Sequence, residues 1–310
     1  MLSTKALRKL YHKFIPFYIQ EKIDFKRRAK WFKLSRVVEK YYKNKDNTPE
    51  IRESLSFLHK HHFNLNSTRL LYLSNITDYY LSQYSNIPVL YDHSIDLPYI
   101  YHNGKPLYYP QYMDATSIRT NYAQFLSEMD NRSPHLYCKN TSELKNRILF
   151  DCGVAEGLFP LTYVDIFEKI VLFECNPNWI KPLKATFKPY QDKVIIANLF
   201  VSDEISTNQT TLDHFAISNN IKPTFLKMDI EGYEERAIDG ASNLLRNSND
   251  LICSICTYHT PTAETNILDK MKSNGYYPSY NHGYMFFFYE EKIEPPYLRR
   301  GVIRFYKEKQ

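Results

Sequence analysis

Residues 147–157 read "RILFDCGVAEG", and this stretch decides the fold. A short apolar run ends at Asp151 and is followed by Gly153 and Gly157, residues that allow tight turns and close backbone approach. The next apolar run, "KIVLFECNP" (169–177), ends at Glu174 in the same manner. Each run leads into a segment with the composition of a helix, so the sequence predicts that strands and helices alternate.

Three further apolar runs extend this pattern: "KVIIANLFVSD" (193–203), "PTFLKMDIEG" (223–232) and "LICSICTYH" (251–259). Helical segments such as "EERAIDGASNLLR" (234–246) separate the later ones. The alternation predicts an α/β fold with a doubly wound, mainly parallel sheet. Ligands of such sheets bind at the carboxyl ends of the strands. A site is therefore expected where five polar residues follow strand ends: Asp151, Glu174, Asp203, Asp229 and His259.

The N-terminal part has a different character. Residues 1–45 contain 14 basic and 3 acidic side chains, whereas the whole chain has a net charge of +6. Apolar residues recur there at helical spacing, namely Leu7, Leu10, Tyr11 and Phe14, which predicts a basic amphipathic helix. Packing of this helix on its own domain is favoured over contact with an anionic membrane or with nucleic acid.

Further local signals organise the first 140 residues. Thr48 and Pro49 predict an N-cap and the first position of a helix. Asn103 and Gly104, between two runs rich in β-formers, predict a hairpin turn. Residues 1–140 are therefore predicted to be a mostly helical accessory region with a small β-hairpin, and residues 141–310 to carry the α/β domain.

Cysteine usage and hydropathy exclude some classes of protein. Five cysteines do not form a disulfide framework, and Cys253 and Cys256 are expected to lie buried on opposite faces of one strand. No apolar run reaches the length of a membrane span, and the N-terminus lacks the apolar segment of a secretory signal. The sequence therefore predicts a cytoplasmic protein, and contact with the inner face of the membrane through the basic helix stays open.

The pattern D-x-G-x-x-x-G, followed by an acid at the end of the next strand, resembles the Rossmann-like class I S-adenosylmethionine-dependent methyltransferases. A nicotinamide-binding domain is disfavoured because Pro160 stands where its third glycine is needed. The resemblance implies S-adenosylmethionine as the cofactor, with Glu174 accepting the ribose hydroxyls. The cofactor contacts that it implies are Asp151, Gly153, Gly157, Glu174, Ser202, Asp203 and, from a preceding segment, His135.

The stretch "FLKMDIEGYE" (225–234), with "TTLDHF" before it and "TYH" on the following strand, resembles the FkbM-like methyltransferases. Members of that family transfer methyl groups mainly to hydroxyls of polyketides and glycans. One departure concerns the first glycine loop, where many relatives have Gly-Ala-Asn and this chain has Gly153-Val154-Ala155.

The resemblance implies catalytic roles for Asp229, Glu231 and His259. Their carboxylate and imidazole groups suit either removal of a hydroxyl proton or coordination of a divalent cation. The alternatives left open are that Glu231 only begins the next helix and that His259 only ties down a loop. Tyr258, Arg299 and Arg300 are candidate contacts to the acceptor, although a solvated strand flank is favoured for the two arginines.

The sequence thus predicts an S-adenosylmethionine-dependent O-methyltransferase. The expected acceptor is a hydroxyl of a sugar, in a bacterial surface glycan or nucleotide-sugar precursor, or of a secondary metabolite. The alternative is an RNA methyltransferase that grips phosphates with the basic arm. It is disfavoured because the site-bearing part is net acidic and lacks the N/D-P-P-Y/F pattern of amino-directed methylation. The oligomeric state is not predicted.

Overall fold

The computed structural model describes residues 32–61, 71–288, 290 and 292–307. The predicted basic amphipathic helix lies outside these residues. Within them, helices cover the faces of a seven-stranded sheet, whose strands from edge to edge are β11 (Tyr276–Tyr280), β12 (Val302–Lys307), β10 (Ile252–Cys256), β9 (Phe225–Met228), β4 (Ile148–Cys152), β5 (Lys169–Phe173) and β6 (Val194–Ala197). Neighbouring strands from β10 to β6 are parallel, whereas β12 runs antiparallel to both β10 and β11. The predicted α/β fold with a doubly wound, mainly parallel sheet is therefore confirmed.

The bounds of the elements follow the sequence patterns closely. The helices that accompany the strands of the main sheet are α4 (Leu158–Thr162), α5 (Pro177–Thr186), α6 (Leu212–Ser218), α7 (Glu234–Asp239), α8 (Ser242–Asn247) and α9 (Ala263–Ser273).

Two predicted elements are divided in the structure. The run 193–203 forms β6 and then a separate strand β7 (Phe200–Val201), which pairs with β8 (Gln209–Thr210) outside the main sheet. The run 234–246 forms two helices instead of one, with a break at Gly240. A Cβ at Gly240 would lie 2.1 Å from the carbonyl oxygen of Ser202. The break therefore lets the chain pass against the loop that follows β7.

The first part of the described chain packs on the second. Residues 32–42 are helical, α1 spans Pro49–His61, α2 spans Ile76–Tyr84 and α3 spans Ala115–Glu128. A three-stranded sheet contains β1 (Leu90–Asp92), β2 (Leu97–His102) and β3 (Lys105–Tyr108). Asn103 and Gly104 form the turn between β2 and β3, which confirms the predicted hairpin. One hydrophobic cluster combines residues from both sides of position 140, among them Ile118 and Leu149.

The two faces of the main sheet bury separate apolar clusters. Cys256 belongs to the cluster shared with the N-terminal part, and Cys253 belongs to the cluster on the other face. Both side chains are fully buried. The prediction that they point to opposite faces is confirmed, and it follows from the alternation of side chains along a strand.

Asn281 fastens the segment before β4 to the end of the sheet. Its side-chain amide is buried and donates to the carbonyl oxygens of Pro134, Leu136 and Val302 at 3.2, 2.8 and 3.1 Å. Arg304, in β12, donates to Leu136 O at 3.2 Å and also to Asn281 Oδ1. This clamp fixes residues 134–136, which pass directly beside the site described below.

We predict that Asn281→Ala lowers the free energy of unfolding by at least about 2 kcal/mol, because it removes several buried hydrogen bonds and leaves the buried guanidinium group of Arg304 without its Asn281 Oδ1 acceptor. Urea unfolding monitored by circular dichroism measures the change. Asn266→Ala is the matched control, since Asn266 makes one exposed side-chain hydrogen bond, to Glu235. Equal stability losses in the two variants would contradict the clamp.

Candidate active site

A buried ion pair supports the carboxyl ends of the two central strands. Lys227 Nζ, in β9, donates to Asp151 Oδ1 of β4 at 2.7 Å and to Gly153 O at 3.0 Å. Burial would lower the pKa of Lys227, but Asp151 and Asp229 raise it above its ordinary value. Lys227 is therefore a fixed positive charge beneath the site.

Gly153 brings the first glycine loop against the acidic motif. Its φ is +79°, and a Cβ there would lie 1.8 Å from the carbonyl oxygen of Asp229. A Cβ at Gly157 would instead lie 2.9 Å from the ring of Phe187. At both glycines the nearest group belongs to the protein, and Gly153 also lines the cleft described below.

Asp229 follows β9 and gathers hydroxyl donors. Tyr137 Oη donates to Asp229 Oδ2 at 2.9 Å, and Tyr258 Oη lies 3.2 Å from Asp229 Oδ1. Burial would raise the pKa of Asp229, but the neighbouring cationic and hydrogen-bond-donating groups lower it below the ordinary value. Asp229 is thus held as an oriented carboxylate.

His259 lies between three acidic residues. Its Nε2 is 3.4 Å from Asp229 Oδ1 and 3.7 Å from Glu231 Oε2, and its Nδ1 is 3.0 Å from Glu234 Oε1. Burial would lower the pKa of His259, but the carboxylates, led by Glu234, raise it above the ordinary value. Asp229, Glu231 and His259 therefore come together, as the sequence predicts.

Glu231 and Glu234 have opposite exposures. The side chain of Glu231 is 92% exposed and its φ is +56°. Glu234 begins α7, as expected, but it is buried and also accepts from the backbone N–H of Ile230 at 2.9 Å. The atoms of Asp229, Glu234 and His259 lie close enough together to hold a metal ion.

A cleft runs from Glu174 to Asp229 along the ends of β4, β5 and β9. Its volume is about 310 Å³, and the described residues that line it include no lysine or arginine. Glu174 Oε2 accepts from Ala155 N at 2.9 Å, and its Oε1 accepts from Asn176 N at 2.7 Å. The remaining lining is largely aromatic and apolar, with Phe125, Phe173, Trp179, Leu199, Phe200, Val201 and Ile230.

A smaller cavity of about 30 Å³ adjoins the cleft and shares Gly153 and Asp229 with it. Asp151 Oδ2 and Glu156 Oε2 are buried and have no hydrogen-bond partner, and both residues line this cavity. Burial raises the pKa of Glu156 to about 8. The cavity thus contains two buried carboxyl oxygens without a hydrogen-bond partner, beside the ion pair of Lys227 and Asp151.

Several residues assigned to the site by the sequence lie elsewhere. Ser202 is buried and its hydroxyl accepts from Glu204 N at 3.1 Å, and Asp203 forms a 2.7 Å ion pair with Arg236. Neither residue lines the cleft. His135 is almost completely buried behind Asp229 and is not part of the cleft lining either.

The two arginines considered for acceptor binding are occupied by internal contacts. Arg299 is buried, forms an ion pair with Glu290 at 2.6 Å and donates to Tyr258 O at 2.9 Å. The Nη2 atom of Arg300 lies 2.7 Å from Glu50 Oε2 in α1. The solvated strand flank favoured from the sequence is wrong for both, because their charges join the C-terminal segment to other parts of the protein.

No role for Lys227 or Tyr137 followed from the sequence, although both residues contact the site. The signal for Lys227 was present, because a lysine within the apolar strand "FLKM" must find a buried partner. Tyr137 offered no such signal, since its hydroxyl meets Asp229 only through the fold.

Comparison with known proteins identifies part of the chain. Residues 182–278 match the model of the methyltransferase FkbM domain, which covers the acidic motif and His259 but not β4 and β5. No curated protein matches the chain. None of the helices described here is long and apolar enough to cross a membrane.

Solved structures give a weaker likeness. A methyltransferase FkbM from Methylobacillus flagellatus KT aligns with 15% identity and a TM-score of 0.42, over 80% of this chain and 65% of that one. The N-methyltransferase NodS from Bradyrhizobium japonicum WM9, in complex with S-adenosyl-L-homocysteine, aligns with 12% identity and a TM-score of 0.36, over 55% and 82%. The M. jannaschii tRNA m1G37 methyltransferase aligns with 14% identity and a TM-score of 0.41, over 69% of this chain and 55% of that one.

Similarity at that level says nothing about the acceptor. The family model is the stronger finding, because it spans the motif "FLKMDIEGYE" on which the resemblance rested. The match of residues 182–278 to the methyltransferase FkbM domain agrees with the family that the sequence motifs indicate.

Proposed function

We propose that this protein is an S-adenosylmethionine-dependent O-methyltransferase that acts on a hydroxyl of a sugar or related small molecule. The observation that carries the proposal is the charge pattern of the cleft. Carboxylates stand at both of its ends, at Glu174 and at Asp229 with Glu231, and its described lining contains no basic side chain. Such a cleft favours a cationic cofactor over a dinucleotide cofactor that carries a diphosphate.

The residues fit the cofactor in two places. Each oxygen of Glu174 accepts one backbone N–H and keeps a second lone pair for a ribose hydroxyl. The unpartnered oxygen of Asp151 suits an ammonium group, because a buried acceptor without a donor is costly. When bound, the cofactor supplies a methyl group on a positively charged sulfur.

The chain itself supplies orientation and a place for the proton. Asp229 has a lowered pKa and two tyrosine donors, so it suits the holding of an acceptor hydroxyl. His259 has a raised pKa and is the stronger base of the two. Its deprotonated ring would take the hydroxyl proton, with Glu234 stabilising the imidazolium that results. Positioning of this kind supplies much of the rate enhancement in such transfers.

Calorimetric titration with S-adenosylmethionine tests the cofactor assignment directly. A methyl-release assay over nucleotide sugars, glycans and RNA, with and without chelator, then tests the acceptor class and the need for a divalent cation. Methylation of RNA alone would show that the protein is an RNA methyltransferase. Full activity in the presence of chelator would exclude a need for a divalent cation.

We predict that Glu174→Gln weakens S-adenosylmethionine binding about tenfold or more, because a hydrogen bond to a charged group contributes roughly 1.5–3 kcal/mol. Isothermal titration calorimetry measures the dissociation constant. The matched control is Glu168→Gln, on the exposed loop before β5. A folded Glu174→Gln protein with the affinity of Glu168→Gln would remove the ribose assignment.

Asp229→Asn is expected to lower turnover by about a hundredfold, as is typical of groups that act in acid–base catalysis or hold a metal. Cofactor affinity should stay within a few fold of wild type. Asp203→Asn serves as the control, because Asp203 pairs with Arg236 outside the cleft. Equal turnover in the two variants would show that Asp229 is structural.

The pH dependence should report His259. A general base acts deprotonated, so kcat/KM should rise with pH through the pKa of His259, which lies above the ordinary value of 6.5. Glu234→Gln removes the charge that contributes most to raising the pKa of His259, so the rising limb of the pH profile should move to lower pH. Glu235→Gln, in the same turn of α7, should leave the limb in place. A limb that does not move in Glu234→Gln would exclude His259 as the base.

A further inference from the structure

The side of Asp229 that faces away from the cleft contacts a buried series of polar groups. His135 is 1% exposed, and its Nε2 lies 2.9 Å from Tyr258 Oη. The same nitrogen is 3.8 Å from Asp229 Oδ2 and 3.7 Å from Cys256 Sγ. His135 therefore reaches the carboxylate through the tyrosine hydroxyl.

The direction of these hydrogen bonds follows from the chemistry of the groups. An ionised carboxylate only accepts, so Tyr258 Oη donates to Asp229. The oxygen of Tyr258 must then accept from His135, which places a proton on Nε2. In a neutral ring this leaves Nδ1 as an acceptor, and His135 Nδ1 has no hydrogen-bond partner.

Glu128, the last residue of α3, stands opposite that nitrogen. Its Oε2 is 3.7 Å from His135 Nδ1 and also lacks a partner, whereas its Oε1 accepts from Tyr72 Oη at 3.2 Å. Two unprotonated acceptors in this arrangement would repel each other, and a proton on Glu128 removes the conflict. Burial raises the pKa of Glu128 well above its ordinary value and lowers that of His135 to about 4, the directions that this arrangement requires.

We propose that His135 donates to Tyr258 and Tyr258 donates to Asp229, a one-directional series of hydrogen bonds that is backed by a protonated Glu128 and fixes the orientation of the Asp229 carboxylate. His135 is then a positioning residue for methyl transfer, whereas the sequence assigned it to the cofactor. This inference rests on the proposed function in one respect, namely that Asp229 holds the acceptor.

Nuclear magnetic resonance of the ¹⁵N-histidine-labelled protein tests the series without any acceptor. His135 should give the signals of a neutral ring with its proton on Nε2 at neutral pH, and Tyr258→Phe should change them. Tyr276→Phe is the control, because the hydroxyl of Tyr276 is also buried but donates to Leu245 O instead of to the groups around Asp229. A proton on Nδ1, a doubly protonated ring, or signals unaffected by Tyr258→Phe would overturn the proposal.

Kinetics with an acceptor identified by the assay above test the consequence. His135→Leu should lower kcat about tenfold, as expected for loss of an oriented hydrogen bond, while S-adenosylmethionine affinity changes by less than about twofold. His135→Gln keeps an N–H donor and should recover most of the loss. In a Tyr258→Phe background, His135→Leu should have little further effect.

A loss of cofactor affinity without a loss of kcat would show that His135 binds the cofactor, as the sequence predicted, and would overturn the positioning role. If no acceptor is methylated, the proposed function fails, whereas the resonance measurement still decides the arrangement around Asp229.

Discussion

The ion pair between Lys227 and Asp151 is the interaction on which the rest of the structure depends. It joins β9 to β4 inside the sheet, and Lys227 also holds the carbonyl oxygen of Gly153, where the first glycine loop begins. Removing one partner of a buried pair typically costs about 3–5 kcal/mol, because the other charge is left without compensation. The same ammonium group favours the ionised form of Asp229, so the packing of the central strands and the charge of the site have a common origin.

Most of the fold could be predicted because its signals are local. Apolar runs bounded by polar residues indicate buried strands, and the five parallel strands lie where such runs occur. The position of Asp229 and Glu174 at strand ends follows from the same runs, since parallel strands bring their carboxyl ends to one edge. The turn at Asn103 and Gly104 was equally local, because that residue pair suits the geometry of a tight hairpin.

The sequence could not predict contacts that depend on irregular segments. Arg299 forms an ion pair with Glu290 across a loop, and no periodic pattern in the sequence predicts that the two residues meet. Ser202 and Asp203 were placed at the end of one long strand, but the backbone leaves the main sheet after Ala197 and carries both residues out of the cleft. Glu234 was correctly placed at a helix start, yet its burial against His259 depends on how α7 meets the loop after β10.

The placement of β12 has a consequence for the order in which the protein is built. Residues 276–280 of β11 have β12 as their neighbour in the sheet. They can therefore form these strand–strand hydrogen bonds only after residues 302–307 have been synthesised. Val302 N also donates to Pro134 O at 2.9 Å, and Arg304 holds Leu136 O. Insertion of β12 between β10 and β11 therefore adds these contacts to the hydrogen bonds that Asn281 makes with the segment that carries His135. During synthesis, a nascent chain that stops before residue 302 leaves the facing edges of β10 and β11 unpaired, and unpaired strand edges favour aggregation.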